Sequence, residues 1–177
     1  MVKYAGDRGV RVVPEFAVPG HSRGSRSLKS LGLQFCDAGE TQSQLFNDAE
    51  GKSYEIVHGV KQEMAGLFPD AVFNIGCDET RVKEACTLNS TFAFERKLLT
   101  AVQTEFNKTA SGWEEVLFDA GAATPLTIVD AWSQHSASEV IAKGNRAIES
   151  KGSAFYFTRA VPGGPDGWNR CWYDIAT

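Results

Sequence analysis

The sequence has no excess of positive charge and no long apolar run. Its 177 residues include 18 Lys and Arg against 22 Asp and Glu, which gives a formal net charge of −4. This balance does not supply the basic stripe that neutralises phosphates, so no nucleic acid is expected as a partner. No apolar run approaches the roughly 18 residues of a membrane-spanning helix, so membrane insertion is not expected either.

Cysteine and histidine are scarce, with four and three residues respectively. No Cys-x-x-Cys pair occurs, which argues against a zinc site of that spacing and against a thioredoxin-type motif. No paired-His spacing occurs either. A metal hydrolase that uses His21, Asp78 and Glu79 therefore remains an alternative by residue type alone. We expect no metal and no cofactor.

What the sequence does contain is an alternation of short apolar runs with longer segments of helical spacing. The apolar runs predict strands at residues 10–15, 71–75, 111–113 with its flanks, 126–132 and 153–157. Apolar residues at steps of three and four predict helices over residues 52–67, 91–107 and 138–143. Such an order is typical of an α/β fold with parallel strands. Residues 17–50 lack periodicity and predict a long connection of the kind that is often functional.

The segment FPDAVFNIGCDET places two adjacent carboxylates, Asp78 and Glu79, directly after an apolar strand. In α/β barrels the carboxyl ends of the strands form the active site. Successive strand residues point to opposite faces, so both side chains share a pocket only if the backbone leaves the strand, which Gly76 permits. Taken alone, an Asp-Glu dipeptide is more often a solvated helix start.

The segment VVPEFAVPGHSRG presents His21 after a Pro-Gly turn at the end of another predicted strand. A lone histidine is more often structural than catalytic, but this one falls on the same predicted edge of the sheet as the carboxylates. Glu15, within the same segment, is expected to be a buried and paired carboxylate.

Three aromatic residues fall in the remaining predicted strands: Trp113, Trp132 and Tyr156. Aromatic rings stack on the apolar faces of sugars, so several rings beside two carboxylates favour a carbohydrate pocket. For any single ring, core packing is the alternative, and we expect it for Phe155 and Phe157.

Several of these motifs occur together in one known family. The chain resembles the β-N-acetylhexosaminidases of glycoside hydrolase family 20 over nearly its whole length. Its segments RGVRVVPEFAVPGH, FPDAVFNIGCDET, SGWEEV, TIVDAW and SAFYF are similar to the third to seventh barrel strands of that family. The resemblance implies an α/β fold, a partial (β/α)8 TIM barrel of approximately strands 3 to 7. Residues 1–177 would form a single, apparently truncated glycoside hydrolase catalytic barrel, since a complete one usually takes about 250 residues.

The resemblance also implies an activity. It is hydrolysis of terminal non-reducing N-acetyl-β-D-hexosamine residues from glycans or glycoconjugates, with retention of configuration through an oxazolinium intermediate. Glu79 would be the proton donor and later the general base, and Asp78 would hold the acetamido group of the substrate. The substrate-binding residues implied by the family pattern are His21, Trp113, Trp132 and Tyr156.

Three positions depart from the family pattern. Ala17 stands where Asp is usual before the Pro-Gly-His turn, Cys77 replaces the second glycine before the carboxylates, and Thr158 stands where Asp or Asn is usual. These departures, together with the strands that the chain lacks, motivate an alternative. In that alternative the chain is a non-catalytic fragment or a sugar-binding remnant of such an enzyme.

By the same resemblance, the partners are N-acetylhexosamine-terminated glycans, a homodimer is allowed, and the location is lysosomal or secreted. Two Asn-x-Ser/Thr triplets, at Asn89 and Asn107, are compatible with a secretory route. Similar loops in animal members of the family suggest a disulfide between Cys36 and Cys86. Cys77 is expected to stay a free thiol.

Overall fold

The computed structural model describes residues 1–36, 44–46, 51–80 and 88–155. Its strands are, in chain order, β1 (Glu15–Val18), β2 (Gln34–Cys36), β3 (Gln44–Phe46), β4 (Val72–Gly76), β5 (Thr109–Trp113), β6 (Ile128–Ala131) and β7 (Arg146–Glu149). Five of them form one sheet in the order β1-β4-β5-β6-β7, and each neighbouring pair is parallel. Strands β2 and β3 pair antiparallel in a separate small sheet.

Helices precede, connect and follow the strands of the parallel sheet. They are α1 (Val2–Gly6), α2 (Lys52–Leu67), α3 (Leu88–Thr104), α4 (Glu115–Phe118), α5 (Ala137–Ala142) and α6 (Gly152–Phe155), with a 3-10 helix over Ser22–Leu31. Parallel neighbours that follow one another along the chain, each pair joined by a helical crossover, are the repeating unit of a (β/α)8 barrel. The prediction of an α/β fold, a partial barrel, is confirmed.

The core lies between the sheet and its helices. Phe73 and Ile75 of β4 and Val129 of β6 are fully buried, and they belong to one cluster with Leu99 and Val102 of α3. Burying each such side chain stabilises the fold by about 1.5–3 kcal/mol. Because the strands are parallel, this packing brings the carboxyl ends of β1, β4, β5 and β6 to the same edge of the sheet.

The buried face of α2 differs from the predicted one. The apolar stripe that predicts this helix consists of Tyr54, Val57, Val60, Met64 and Leu67. The buried residues are instead Ser53, Val57, Lys61 and Ala65, and Leu67 is 67% exposed. Lys61 is fully buried because its ammonium group donates to the backbone oxygens of Phe16, at 2.8 Å, and Ile75, at 3.3 Å. Burial lowers the pKa of Lys61 to about 7. The side chain thus joins β1 to β4.

Two predicted strands are displaced. The first was expected at residues 10–15 but begins at Glu15, because Val10 and Val13 are exposed and do not enter the sheet. The last was expected at residues 153–157, yet β7 is Arg146–Glu149 and Gly152–Phe155 is a short helix. The residues of β7 are largely exposed, so that strand lacks the continuous apolar run that marked the others.

The described part of the stretch 17–50, residues 17–36 and 44–46, contains more secondary structure than the lack of periodicity suggested. It contains the 3-10 helix and strands β2 and β3. Cys86, Tyr156 and Thr158 lie outside the described residues, so the predicted disulfide with Cys36 and the predicted role of Tyr156 stay predictions. Within the ranges described, no helix is both long and apolar enough to cross a membrane.

Candidate active site

The backbone leaves β4 immediately before the carboxylate pair. Gly76 has φ +80°, and a Cβ atom at this position would lie 2.6 Å from the Cα of Ala17. Cys77 and Glu79 also have positive φ, at 74° and 48°. Successive residues therefore no longer alternate between the two faces of the sheet, and Asp78 and Glu79 line the same cavity.

His21 approaches the pair from the turn after β1. A Cβ atom on the preceding Gly20 would lie 2.5 Å from the backbone oxygen of Asp78, so only glycine allows the two loops to come this close. The Nε2 atom of His21 lies 3.0 Å from Oδ2 of Asp78 and 3.2 Å from Oε2 of Glu79. One imidazole nitrogen thus contacts both carboxylates.

The two oxygens of Asp78 have different surroundings. Oδ2 faces His21, whereas Oδ1 is buried and has no hydrogen-bond partner among the residues that the structure describes. Burial raises the pKa of the Asp78 carboxyl, and the nearby charge of His21 opposes that rise. A buried carboxylate oxygen without a partner is costly, so this atom is a strong candidate to accept a hydrogen bond from a ligand.

Two indole rings form a wall of the cavity. The centroids of Trp113 and Trp132 are 6.3 Å apart, and their planes meet at 73°. Nε1 of Trp113 donates to Oε1 of Glu15 at 3.0 Å. Glu15 is paired as expected, but it is exposed rather than buried. The cavity measures about 530 Å³, within the usual range for small-molecule sites.

Glu114 and Glu115, which follow Trp113, were not singled out from the sequence. Glu114 is buried and accepts hydrogen bonds from four successive backbone N–H groups, those of residues 132–135. Glu115 accepts from the backbone N–H of Glu79 and from Nε1 of Trp132. Their position directly after a strand-end tryptophan is the signal that could have identified them.

Ser150 and Phe155 also line the cavity without having been predicted there. The Ser150 hydroxyl is buried and has no hydrogen-bond partner in the described part of the chain, so it is a second candidate to bond to a ligand. Phe155 was expected to pack in the core, but it is 52% exposed, because it lies in α6 rather than in a buried strand.

The structure therefore brings five of the six predicted site residues around one cavity: His21, Asp78, Glu79, Trp113 and Trp132. The sixth, Tyr156, lies outside the described residues. In the part of the chain that the structure describes, no three His, Cys, Asp or Glu side chains are grouped to hold a metal ion.

The parallel sheet, with carboxylates and indole rings at the carboxyl ends of its strands, defines an α/β-barrel enzyme with a site for a ligand that has both polar and apolar faces. Sequence comparison narrows this class. The family described as glycosyl hydrolase family 20, catalytic domain, matches residues 1–176. The chain belongs to glycoside hydrolase family 20, a family of glycosidases.

Individual relatives agree with this assignment. The chain is 29% identical to β-hexosaminidase subunit A2 of Dictyostelium discoideum, over 99% of this chain and 36% of that protein. It is 27% identical to the mouse β-hexosaminidase subunit beta, over 79% of this chain and 30% of that protein. The structure of the β-N-acetylhexosaminidase of Streptomyces coelicolor is similar, with a TM-score of 0.70 and 26% identity over 91% of this chain and 35% of that one. The chain spans about a third of the length of these relatives.

Proposed function

We propose that this chain carries the catalytic carboxylates of a retaining β-N-acetylhexosaminidase. The enzyme removes terminal non-reducing N-acetyl-β-D-hexosamine residues from glycans or glycoconjugates. In this reaction the 2-acetamido group of the substrate is the nucleophile, so the protein needs an acid and a group that orients the amide. The family membership of the chain and the names of its relatives support this substrate class.

The observation that carries the proposal is the Oδ1 atom of Asp78, which is buried and unpaired among the described residues. The acetamido N–H of the substrate is a donor of the right kind for this buried acceptor. A hydrogen bond between them turns the acetamido carbonyl oxygen toward the anomeric carbon. When that oxygen attacks, positive charge develops on the amide, and the adjacent carboxylate stabilises it.

Glu79 is the general acid and base. It protonates the glycosidic oxygen as the bond to the anomeric carbon breaks, and the acetamido oxygen closes the oxazolinium ring. The resulting carboxylate then takes a proton from a water molecule. This water attacks the anomeric carbon from the sugar face opposite the oxazolinium oxygen, the face from which the leaving group departed. The acetamido group is restored and the configuration is retained. His21, whose Nε2 atom lies 3.2 Å from Oε2 of Glu79, is placed to orient this carboxyl group.

The indole rings of Trp113 and Trp132 form the apolar wall against which the acetyl methyl group packs. Tyr156 donates a hydrogen bond to the acetamido oxygen, as the family pattern implies. The natural partners are glycans that end in N-acetylhexosamine, and the location is lysosomal or secreted, with a homodimer as the assembly to test.

The test is release of the chromophore from an aryl N-acetyl-β-D-glucosaminide by the purified protein. Glu79→Gln should nearly abolish turnover while leaving sugar binding largely intact, because the amide keeps the shape but donates no acidic proton. Turnover that survives a chelator separates this reaction from metal-dependent hydrolysis.

The same assay, extended by a chimeric protein, can contradict the enzyme proposal. A chimera in which this chain replaces the matching third of the Dictyostelium relative provides the second arm. If neither the protein nor the chimera releases the chromophore, the enzyme proposal is wrong. Binding of N-acetylglucosamine without turnover in both would identify a sugar-binding remnant instead.

A further inference from the structure

One side chain connects the acid to the wall of the cavity. Glu115 begins α4, directly after β5. Its Oε1 atom accepts from the backbone N–H of Glu79 at 3.1 Å, and its Oε2 atom accepts from Nε1 of Trp132 at 3.2 Å. A single carboxylate at the start of α4 thus bonds to the loops that follow β4 and β6.

The bond to Glu79 acts on an unusual backbone. Glu79 has φ 48°, in the left-handed region that non-glycine residues rarely adopt. A bond to its N–H holds the peptide plane in this conformation, and the direction of the Glu79 side chain follows from that plane. A hydrogen bond to an ionised carboxylate is stronger than one between neutral groups, so ionised Glu115 holds the N–H of Glu79 firmly.

The bond to Trp132 acts on the ring. The orientation of an indole depends on two side-chain torsions, and a hydrogen bond at Nε1 fixes both. Trp132 also receives support from Glu114, whose Oε2 atom accepts from its backbone N–H at 3.0 Å. Glu115 is the residue that holds the ring itself, because its bond is to the indole nitrogen.

We propose that Glu115 is a positioning residue that sets the distance and angle between the acid, Glu79, and the acetamido wall, Trp132. This inference rests on the proposed function. Glu115 acts through its two partners rather than on the substrate. Misplacement of a catalytic group by about 1 Å costs on the order of 100-fold in rate, so loss of both bonds should be visible in turnover.

The test compares two aryl N-acetyl-β-D-glucosaminides. The phenyl glucosaminide has a poor leaving group, phenolate, which needs protonation by Glu79. The 2,4-dinitrophenolate of the other substrate is a good leaving group and departs without protonation. Glu115→Ala should lower kcat by about 10- to 100-fold on the phenyl substrate and by much less on the dinitrophenyl substrate. Glu115→Gln keeps one acceptor oxygen and should show a smaller difference between the substrates.

Two further variants sharpen the comparison. Asp119→Asn removes an exposed carboxylate next to α4 and should leave both rates unchanged. Trp132→Phe removes the indole N–H, so combining it with Glu115→Ala should cost less than the sum of the two single changes, because they share one bond.

The outcomes separate the inference from the proposed function. If the unmodified protein hydrolyses neither substrate, the proposed function fails. If it hydrolyses both but Glu115→Ala and Glu115→Gln lose the same factor on each substrate, or lose nothing, the positioning role is wrong and the proposed function stands. Circular dichroism of each variant identifies unfolding, which would lower both rates equally.

Discussion

The Nε2 atom of His21 lies 3.0 Å from Oδ2 of Asp78, and this contact joins the loop after β1 to the loop after β4. The other oxygen of Asp78, Oδ1, is buried and has no hydrogen-bond partner among the described residues. The contact also has an electrostatic effect. Burial raises the pKa of the Asp78 carboxyl, and the charge of His21 lowers it.

Replacing His21 by alanine should therefore change the pH dependence of activity. Without the imidazole, the pKa of Asp78 rises further, because the largest influence that lowers it is gone. Asp78 must be ionised to balance the positive oxazolinium, so the acid limb of the kcat/KM profile should move to higher pH. His58→Ala, a histidine that pairs with Glu105 away from the cavity, is the matched control. An acid limb that stays in place in His21→Ala contradicts the coupling.

Asp78→Asn should lower the activity of the protein and raise its stability. Burial raises the pKa of Asp78 in the folded protein, so the folded state binds its proton more tightly than the unfolded state does. The free energy of unfolding then falls as pH rises from the unfolded pKa through the raised one, and Asn removes this loss. At neutral pH the variant should unfold at higher denaturant concentration while kcat drops by about 100-fold or more. A variant that is inactive and also less stable at pH 7 would contradict the prediction.

Glu95→Gln should flatten the pH dependence of stability. Glu95 is 1% exposed, and burial raises its pKa from 4.5 to about 8, so the fold loses stability as pH rises through that interval. By linkage, the loss is on the order of a few kcal/mol. Urea unfolding at pH 5 and pH 8.5 should show a smaller difference for Glu95→Gln than for the parent. Glu63→Gln, on the exposed face of α2, should retain the difference of the parent.

Cys77 should resist alkylation in the folded protein. It is a free cysteine, as predicted, and is fully buried, and burial raises the pKa of its thiol well above 9.0. Thiolate is the reactive form, so iodoacetamide should label Cys77 only after denaturation. Peptide mass spectrometry distinguishes this site from the other three cysteines. Labelling of Cys77 under native conditions would show that the end of β4 opens.

Much of the architecture was predictable from local pattern. The helix over residues 52–67 matches α2, and the carboxylate pair was placed correctly after β4. Apolar spacing predicts such elements because the period of buried residues over a short segment differs between a helix and a strand. The pattern was less informative at the edge of the sheet, where β7 is largely exposed and carries no apolar run.

The sequence by itself determined strands β4, β5 and β6, helices α2, α3 and α5, the glycine turns, and the edge of the sheet at which Asp78, Glu79 and His21 meet. These follow from periodicity and from backbone conformations that only certain residues adopt. The tertiary structure alone decided that Lys61 lies inside, that Oδ1 of Asp78 has no partner within the described ranges, and that Glu115 bonds to Glu79, 36 residues away. The physical reason is that a hydrogen bond or the cost of burying a group depends on which groups the packing brings together. Groups far apart in sequence cannot be matched from the pattern of a short segment.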